Sequence, residues 1–318
     1  MMNTEQQTSE QRRTLTFYRF CAVDELQATQ TLLTEAGERL ELRGTILLAR
    51  EGVNGTLVGT TSALLQMQQL LVTRFGDIPF KWSDIDPGNT GFFRYKVKLK
   101  DEIVTFGVAD LDVTRTGQHV DPQTWNDLLA DPEVVVIDTR NQYEIDIGTF
   151  PGAVSPHTTN FREFPQWVAQ QLNPERDKKV AMFCTGGIRC EKASAYMLQQ
   201  GFSEVYQLDG GILNYLEGTD EENNRWDGEC FVFDQRVSVD ASLRQGSYQQ
   251  CFACRHPVSA EDIASPTYEA GVSCPHCYGQ EDKGDRQRFR ERQQQIELAR
   301  ARGESHIGSP QKKSQHQR

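Results

Sequence analysis

The sequence VAMFCTGGIRCEKASAYML, which occupies Val180–Leu198, predicts a strand, a loop and a helix in direct succession. Its first four residues are an apolar run typical of a buried strand. Gly186 and Gly187 can adopt backbone angles that other residues avoid, which permits a tight turn. From about Arg189 onward, helix-forming residues follow with apolar side chains at helical spacing. Cys184 is therefore expected at the end of a strand, beside a loop that leads into a helix.

The loop after Cys184 is predicted to bind an anion. The backbone N–H groups of such a loop and of the first helical turn converge and carry partial positive charge. They would lower the pKa of the Cys184 thiol or hold a persulfide on it, and Arg189 would add a fixed positive charge. A ring of six residues from cysteine to arginine suits a sulfur anion, and the alternative is a buried, unreactive cysteine before a helix. The anion-binding residues are Thr185, Gly186, Gly187 and Ile188.

The composition predicts a globular protein with more than one domain. The chain has 318 residues, of which 37% are apolar, enough for two or three domains with sizeable cores. No apolar run reaches the ~18 residues of a membrane span, and the first part of the chain lacks an apolar signal core. We therefore expect a cytoplasmic protein with no membrane association. The net charge of −11 argues against a general nucleic-acid binder, although it leaves room for a local basic surface.

Residues 14–110 predict an α+β domain of the ferredoxin-like (acylphosphatase-like) type, because strand and helix patterns follow in the order β-α-β-β-α-β. Residues 1–13 before it are polar and are expected to be disordered. The middle hairpin of the domain is predicted to turn at Asn54–Gly55. Cations alternate along the last predicted strand, and the face that they share is either solvated or in contact with RNA. These cations are Arg94, Lys96, Lys98 and Lys100.

Residues 121–225 predict a doubly wound parallel sheet, since strand patterns alternate with helix patterns. The run EVVVI, which ends at Ile137, is typical of a parallel strand that is covered on both faces. Asp138 and Arg140 follow at the C-terminal end of that strand, where the active sites of such sheets lie. These two charged residues either form a salt bridge that shapes the site or take part in its chemistry.

The C-terminal region predicts a small zinc-type module, residues 226–282, followed by a basic tail, residues 283–318. Two CxxC pairs separated by nineteen residues are typical of zinc sites. Four thiolates would close a tetrahedron and leave no open position, so the zinc would be structural, and the alternative is a set of free thiols. The four cysteines are Cys251, Cys254, Cys274 and Cys277. The tail is predicted to be helical from Asp285 to about Arg302 and disordered at its end, with arginines that are solvated or contact phosphate.

The sequence also resembles known families over most of its length. Residues 121–225 resemble rhodanese domains, with matches at Asp138–Arg140, Glu144, Gly148–Ala153 and Cys184–Arg189. The chain from residue 14 to about 278 is similar to the oxygen-dependent tRNA uridine-34 hydroxylases. The matching stretches are GTILLAREGVNGT (44–56), FRYKVKLK (93–100), CTGGIRCEKAS (184–194), GGILNYL (210–216) and WDGECFVFD (226–234).

This resemblance implies hydroxylation of C5 of the wobble uridine, with O2 as co-substrate and tRNA as partner. It also implies that Cys184 is the active-site cysteine, which carries a persulfide in general rhodanese chemistry. In sulfurtransferases the residue after the loop arginine is often a small hydroxyl residue, whereas here it is Cys190, as in the hydroxylases. A second thiol at that position either resolves an oxidised Cys184 by disulfide exchange or packs within the helix.

The residues themselves support thiol redox chemistry at Cys184 but do not reveal a route to O2. We find no dinucleotide fingerprint, no flavin motif and no pattern of two histidines and a carboxylate for iron. An unidentified electron donor is therefore expected as a partner. Three hypotheses follow: a tRNA hydroxylase that acts through Cys184, Arg189 and Cys190, a persulfide sulfurtransferase, and a non-catalytic RNA- or protein-binding module.

Overall fold

The computed structural model describes residues 11–85, 91–280 and 283–302. These residues form two compact units, of which the first ends at Gly246 and the second begins at Ser247. The disorder predicted for the two ends of the chain falls largely outside the described residues. None of the described helices is long and apolar enough to cross a bilayer.

The N-terminal part of the first unit is a five-stranded sheet with two helices. Its elements are β1 (Arg12–Phe20), α1 (Leu26–Arg39), β2 (Arg43–Ala49), β3 (Gly52–Thr60), α2 (Thr61–Phe75), β4 (Phe80–Asp84) and β5 (Tyr95–Leu99). The strand order β4-β1-β3-β2-β5 is the ferredoxin-like order extended at one edge by β5, which is parallel to β2. The expected fold is thus confirmed here. The disorder predicted for residues 1–13 is wrong at Arg12 and Arg13, because both pair with β3.

The two faces of this sheet differ. Leu15 and Phe17 on β1 and Ile46 on β2 point into an apolar core that includes residues of both helices. Because side chains alternate along a strand, Thr16 and Tyr18 point to the opposite face. One face therefore builds the core of the domain, and the other is left to meet a different part of the first unit.

The turn between β2 and β3 lies at Arg50–Glu51, so the turn predicted at Asn54–Gly55 is wrong. Asn54 lies within β3, where its side-chain amide donates to the main-chain oxygen of Ile103 at 3.0 Å. Gly55 faces an aromatic ring of β1, and a Cβ at this position would come within 2.7 Å of that ring. Asn54 and Gly55 therefore make packing and hydrogen-bond contacts from within strand β3.

The next part of the first unit is the predicted parallel sheet. Its elements are β6 (Gln118–Val120), α3 (Pro122–Ala130), β7 (Val134–Asp138), α4 (Gln142–Ile145), β8 (Gly148–Thr149), α5 (Phe164–Gln171), β9 (Lys179–Phe183), α6 (Ile188–Gln199), β10 (Glu204–Leu208) and α7 (Gly211–Gly218). The order is β6-β10-β9-β7 with every pair parallel, which confirms the expected fold. Ala181 and Phe183 of β9 join the core with α3 and α7, whereas Val180 and Met182 join the core with α5 and α6. Helices therefore cover both faces.

A segment that the sequence assigns to the zinc-type module belongs to the first unit. It contains β11 (Asp227–Gly228), β12 (Cys230–Phe231) and β13 (Ser238–Val239). The ring of Trp226 lies 5.1 Å from the ring of Phe150, and Cys230 is fully buried in the same core. The predicted boundary at residue 226 is therefore wrong, because these apolar side chains complete the core of the parallel-sheet domain.

The second unit is small and cysteine-rich. Its elements are β14 (Gln249–Gln250), β15 (Pro257–Val258), α8 (Ala260–Ala264) and α9 (Lys283–Ala301). Helix α9 confirms the helix predicted in the tail. Arg290 pairs with Glu269 at 2.6 Å, and Arg292 donates to the main-chain oxygens of Phe252 and Gly271 at 3.0 and 2.9 Å. These two arginines therefore bind α9 to its own unit.

Candidate active site

Cys184 directly follows β9, at the start of the loop that leads into α6. The N–H group of Gly187 donates to its sulfur at 3.1 Å. Gly187 has a φ of 96°, and a Cβ there would come within 2.9 Å of the hydroxyl of Tyr18, so the loop requires glycine at this position. Cys184 itself is only 1% exposed. The sulfur thus lies where a parallel strand ends and main-chain donors meet.

This environment makes Cys184 a thiolate at neutral pH. Burial alone would raise its pKa. The thiol of Cys190, the charge of Arg189 and the backbone N–H groups of both residues outweigh burial and lower the pKa of Cys184 to about 5. Burial and the adjacent thiolate raise the pKa of Cys190 well above its ordinary value. The pair therefore consists of a Cys184 thiolate and a Cys190 thiol that keeps its proton.

Cys190 lies in the first turn of α6 and is fully buried. Its sulfur is 3.6 Å from the hydroxyl oxygen of Thr139, and it packs in the core that contains α5 and α6. This position is compatible with both predicted roles, packing and thiol exchange with Cys184. Cys184 lines the neighbouring cavity and Cys190 does not, so a substrate in the cavity would meet Cys184.

Arg189 is held by Glu144, a residue whose role the sequence did not reveal. Its Nη1 and Nη2 donate to the two carboxylate oxygens at 2.6 and 2.8 Å, and both side chains are buried. Although burial favours the neutral acid, the charge and hydrogen bonds of Arg189 keep the pKa of Glu144 below its ordinary value. Arg189 was expected to bind the anion; its N–H groups point to Glu144, and its charge acts on Cys184 from beside the loop. The capping box of α4, Asn141-x-x-Glu144, was the sequence pattern that could have placed this carboxylate.

Asp138 and Arg140 form a buried salt bridge. Nη2 and Nε of Arg140 lie 2.6 and 2.9 Å from the carboxylate oxygens of Asp138. Arg140 also donates to the main-chain oxygen of Glu144 at 3.2 Å, and its guanidinium lies 5.1 Å from the centre of the Trp226 ring. Neither side chain lines the cavity. The contacts match the site-shaping interpretation, because Arg140 fixes the turn that carries Glu144.

A cavity of about 530 Å³ opens beside Cys184. The loop residues that line it are Thr185, Gly186, Ile188 and Arg189. Its opposite wall is the helix-free face of the N-terminal sheet, where the strand register places Thr16, Thr56 and Thr45 in one row. The parallel-sheet domain therefore presents its cysteine to the sheet of the other domain, an arrangement that the sequence did not predict.

Two side chains of the N-terminal sheet reach across to the cysteine-bearing domain. The hydroxyl of Tyr18 donates to Glu191 at 3.0 Å, and Nζ of Lys81 donates to the main-chain oxygen of Gly210 at 3.0 Å. Burial lowers the pKa of Lys81 to about 8. Both residues line the cavity. No motif marks them, because single polar residues in a strand look the same whether they face water or a neighbouring domain.

Phe233 is a further residue at the cavity that the sequence did not single out. It follows β12, it is 59% exposed, and it lines the cavity. The guanidinium of Arg189 lies 5.9 Å from the centre of its ring, and the ring of Phe231 meets it edge-on at 5.1 Å. An exposed aromatic ring beside a reactive sulfur offers a surface on which a planar ligand can stack.

In the second unit the four predicted cysteines come together. Their sulfur atoms all lie within 4.8 Å of one another. The sulfur of Cys274 is 3.7 Å from that of Cys254 and 3.8 Å from that of Cys277. Four sulfurs at such separations can hold a metal ion. All four predicted ligand residues thus form one site.

Comparison with solved structures finds likenesses that each cover about a third of the chain. The rhodanese-like domain of a protein from Anabaena sp. is 18% identical over 35% of this chain and 78% of its own, with a TM-score of 0.29. A protein of unknown function from Rhodopseudomonas palustris is 24% identical over 32% of this chain and 81% of its own, with a TM-score of 0.28. Each of these two likenesses is therefore confined to about a third of this chain.

Two family models match successive parts of the chain. Residues 12–103 match the UPF0176 acylphosphatase-like domain, and residues 121–217 match the rhodanese-like domain. The first match contains β1 to β5, and the second contains the Cys184 loop. An acylphosphatase-like domain of the UPF0176 type followed by a rhodanese domain is the architecture of the UPF0176 family, and this chain has that architecture.

Proposed function

We propose that this protein hydroxylates C5 of the wobble uridine, uridine 34, of tRNA, with O2 as co-substrate and Cys184 as the reactive group. The observation that carries the proposal is the ionised sulfur of Cys184, held by main-chain N–H groups at the wall of a cavity. The two matched domains and the resemblance of the chain to the tRNA uridine-34 hydroxylases support the choice of substrate and reaction. A cavity of about 530 Å³ can accept a nucleoside, and the base would turn out of its stack to reach the sulfur.

The reaction needs two electrons and two protons besides O2, because one oxygen atom enters the C5–H bond and the other leaves as water. Two thiols supply two electrons and two protons when they are oxidised to a disulfide. Cys184 and Cys190 form such a pair. The oxygen atom of O2 that does not enter the base oxidises the Cys184 sulfur to a sulfenic acid. The Cys190 thiol then condenses with it, which forms the S–S bond and releases that oxygen as water. An external thiol reductant would then restore both cysteines by exchange.

The surrounding residues position this pair. Glu144 fixes Arg189, and the loop N–H groups stabilise negative charge on the sulfur. Phe233 is placed to stack on the extruded base, since its ring is exposed at the cavity. The main-chain donors and the buried ion pair keep the geometry rigid without substrate, so little of the binding energy is needed to form the site.

We further propose that zinc occupies the four-cysteine site. Four sulfurs at about 2.3 Å from a tetrahedral zinc lie about 3.8 Å apart, and the separations of 3.7 and 3.8 Å at Cys274 fit that geometry. Four thiolates complete the coordination, so the metal would stabilise the fold of the second unit and take no part in the reaction.

The proposal is tested in a strain that lacks the gene. The strain is complemented with wild type, with Cys184→Ala, or with Cys21→Ala as a matched control, since Cys21 is only half-buried and lies outside the cavity. Nucleosides from total tRNA are then quantified by mass spectrometry. We expect 5-hydroxyuridine and its derivatives with wild type and the control and none with Cys184→Ala. Normal levels with Cys184→Ala would refute the proposal.

Persulfide transfer is the second candidate, because a loop of main-chain donors around Cys184 also stabilises a persulfide. It predicts rapid turnover of thiosulfate by the purified protein and no change in tRNA nucleosides on deletion. A non-catalytic role predicts that Cys184 resists alkylation at pH 7, which the lowered pKa of its thiol argues against.

A further inference from the structure

We propose that strand β5 binds the phosphate groups of the RNA strand whose base enters the cavity at Cys184. The residues that would do so are Lys96, Lys98 and Lys100. The inference rests on the proposed function, since it takes RNA as the substrate, and it adds the surface along which that RNA reaches the site. It also gives a role to an edge of the N-terminal sheet that the chemistry at Cys184 leaves unexplained.

The lysines of β5 continue the wall of the cavity. Strands β2 and β5 pair in parallel, with Thr45 opposite Lys96 and Leu47 opposite Lys98. Paired residues of neighbouring strands point to the same face of a sheet. Thr45 and Leu47 line the cavity, so Lys96 and Lys98 extend the same face to the edge of the sheet.

Lys100 joins this row of lysines to the cavity. It follows β5 directly, it lines the cavity, and its N–H group is fixed by a 2.9 Å hydrogen bond to the main-chain oxygen of Leu48. Alternate residues of a strand are about 7 Å apart, a distance close to that between neighbouring phosphates of an extended RNA strand. An RNA strand along β5 can thus place one phosphate at each lysine while one base turns toward Cys184.

Packing of the domain does not account for these cations. The residues of β5 that pack against the core are Tyr95, Val97 and Leu99, whereas the three lysines are exposed. Among the residues that the structure describes, the lysines that form ion pairs are Lys179 and Lys192. In a chain with a net charge of −11, a row of exposed lysines on one strand favours a polyanion at that place.

An acidic polypeptide is the other polyanion that fits a row of lysines. The cavity favours RNA, because its walls carry threonine hydroxyls and the exposed ring of Phe233. Single-stranded RNA is recognised by such hydrogen bonds to base edges and by stacking on aromatic rings. An acidic peptide has no group that would use both the ring and the sulfur at the end of the lysine row.

The test measures binding of an anticodon stem-loop RNA with uridine at position 34 to the full-length protein, by fluorescence anisotropy over a range of salt concentrations. Lys96→Ala/Lys98→Ala is compared with Arg39→Ala/Lys178→Ala, which removes two exposed cations that do not line the cavity. The first pair is expected to weaken binding roughly tenfold and to reduce the slope of log K against log salt by about 1.4, which is about 0.7 per phosphate contact. The control pair is expected to leave both the affinity and the salt slope unchanged.

A conservative variant serves as a control for damage to the fold. Lys96→Arg/Lys98→Arg keeps both charges and is expected to bind RNA as wild type does, and Cys184 should react with iodoacetamide at the wild-type rate in every variant. Equal salt slopes for the alanine pair and wild type would overturn the proposal. Binding of polyglutamate that depends on these lysines, without such dependence for RNA, would overturn it as well.

The level of 5-hydroxyuridine in tRNA, taken together with RNA binding, distinguishes a failure of this inference from a failure of the proposed function. If Cys184→Ala abolishes 5-hydroxyuridine and the lysine pair leaves RNA binding intact, the surface is wrong and the function stands. If the lysine pair weakens RNA binding and Cys184→Ala leaves 5-hydroxyuridine intact, the surface stands and the function is wrong.

Discussion

The two groups of cysteines in this protein differ in what surrounds their sulfur atoms. Around Cys184 lie main-chain N–H groups, the charge of Arg189 and a cavity, so one sulfur is ionised and borders the space that a ligand can enter. In the second unit each of the four sulfurs has three others within 4.8 Å. Several thiolates at that distance repel one another unless a cation lies between them. The comparison shows that the neighbours of a thiol decide whether it serves as a reactive group or as a metal ligand.

The largest expected effect comes from breaking the four-cysteine site. Cys274→Ala removes one of four thiolates, and structural zinc sites of this kind contribute about 10–16 kcal/mol to folding. We expect the purified variant to lose its metal and the residues from Ser247 onward to exchange amide hydrogens rapidly, while Cys184 reacts at the wild-type rate. Metal analysis and hydrogen exchange check this, with Cys184→Ala as the control that keeps its metal. Full metal content in Cys274→Ala would contradict the assignment.

The next effect concerns the ionisation of Cys184. Its rate of alkylation by iodoacetamide should rise with pH with a midpoint near 5, because the pKa of the thiol is lowered to about 5 from an ordinary value of 9.0. Mass spectrometry of the labelled peptide follows this cysteine separately from the others. A midpoint close to 9 would remove the difference between the two groups of cysteines on which the comparison rests.

The same lowered pKa links stability to pH. Between pH 5 and pH 9 the unfolded chain holds a proton on Cys184 that the folded chain has released. The contribution of this group to the free energy of unfolding is therefore complete above pH 9 and is lost as the pH falls toward 5. Cys184→Ala should lack this component in urea unfolding series. Parallel stability curves for wild type and variant across that range would show that the sulfur is not ionised.

The sites that can be predicted from the sequence are those whose determinants are local. The strand, glycine loop and helix around Cys184 follow one another in the chain, and the two CxxC pairs each supply their ligands from one turn. The sequence does not reveal the roles of Glu144 and Tyr18, because they act through contacts with residues 45 and 173 positions away in the chain. Local patterns give the wrong structure at Asn54–Gly55 and at residue 226, where contacts within a strand and within a core decide the structure.

Breaking the ion pair beside the loop sharpens the comparison, because it changes the neighbours of Cys184 and leaves the sulfur in place. Glu144→Gln leaves the buried guanidinium of Arg189 without the carboxylate that pairs with it. Such a change costs about 3–5 kcal/mol of folding free energy, whereas Glu175→Gln, at an exposed position, should change it by less than about 0.5 kcal/mol. Urea unfolding of both variants measures this. A loss below about 1 kcal/mol in Glu144→Gln would mean that the pair is not essential to the loop.

The smallest effect tests whether Cys190 acts on Cys184 or only packs. Cys190→Ala removes the thiol that helps to lower the pKa of Cys184, and a hydrogen bond to a charged group contributes about 1.5–3 kcal/mol. The alkylation midpoint of Cys184 should therefore rise by about 1–2 pH units, whereas Cys190→Ser, which keeps a donor, should restore most of the wild-type midpoint. If Cys190 only packs in the core with α6, both variants would lower stability and leave the midpoint unchanged. That outcome would show that the main-chain donors and Arg189 are sufficient to ionise the Cys184 sulfur. The loop would then differ from the four-cysteine site without any contribution from Cys190.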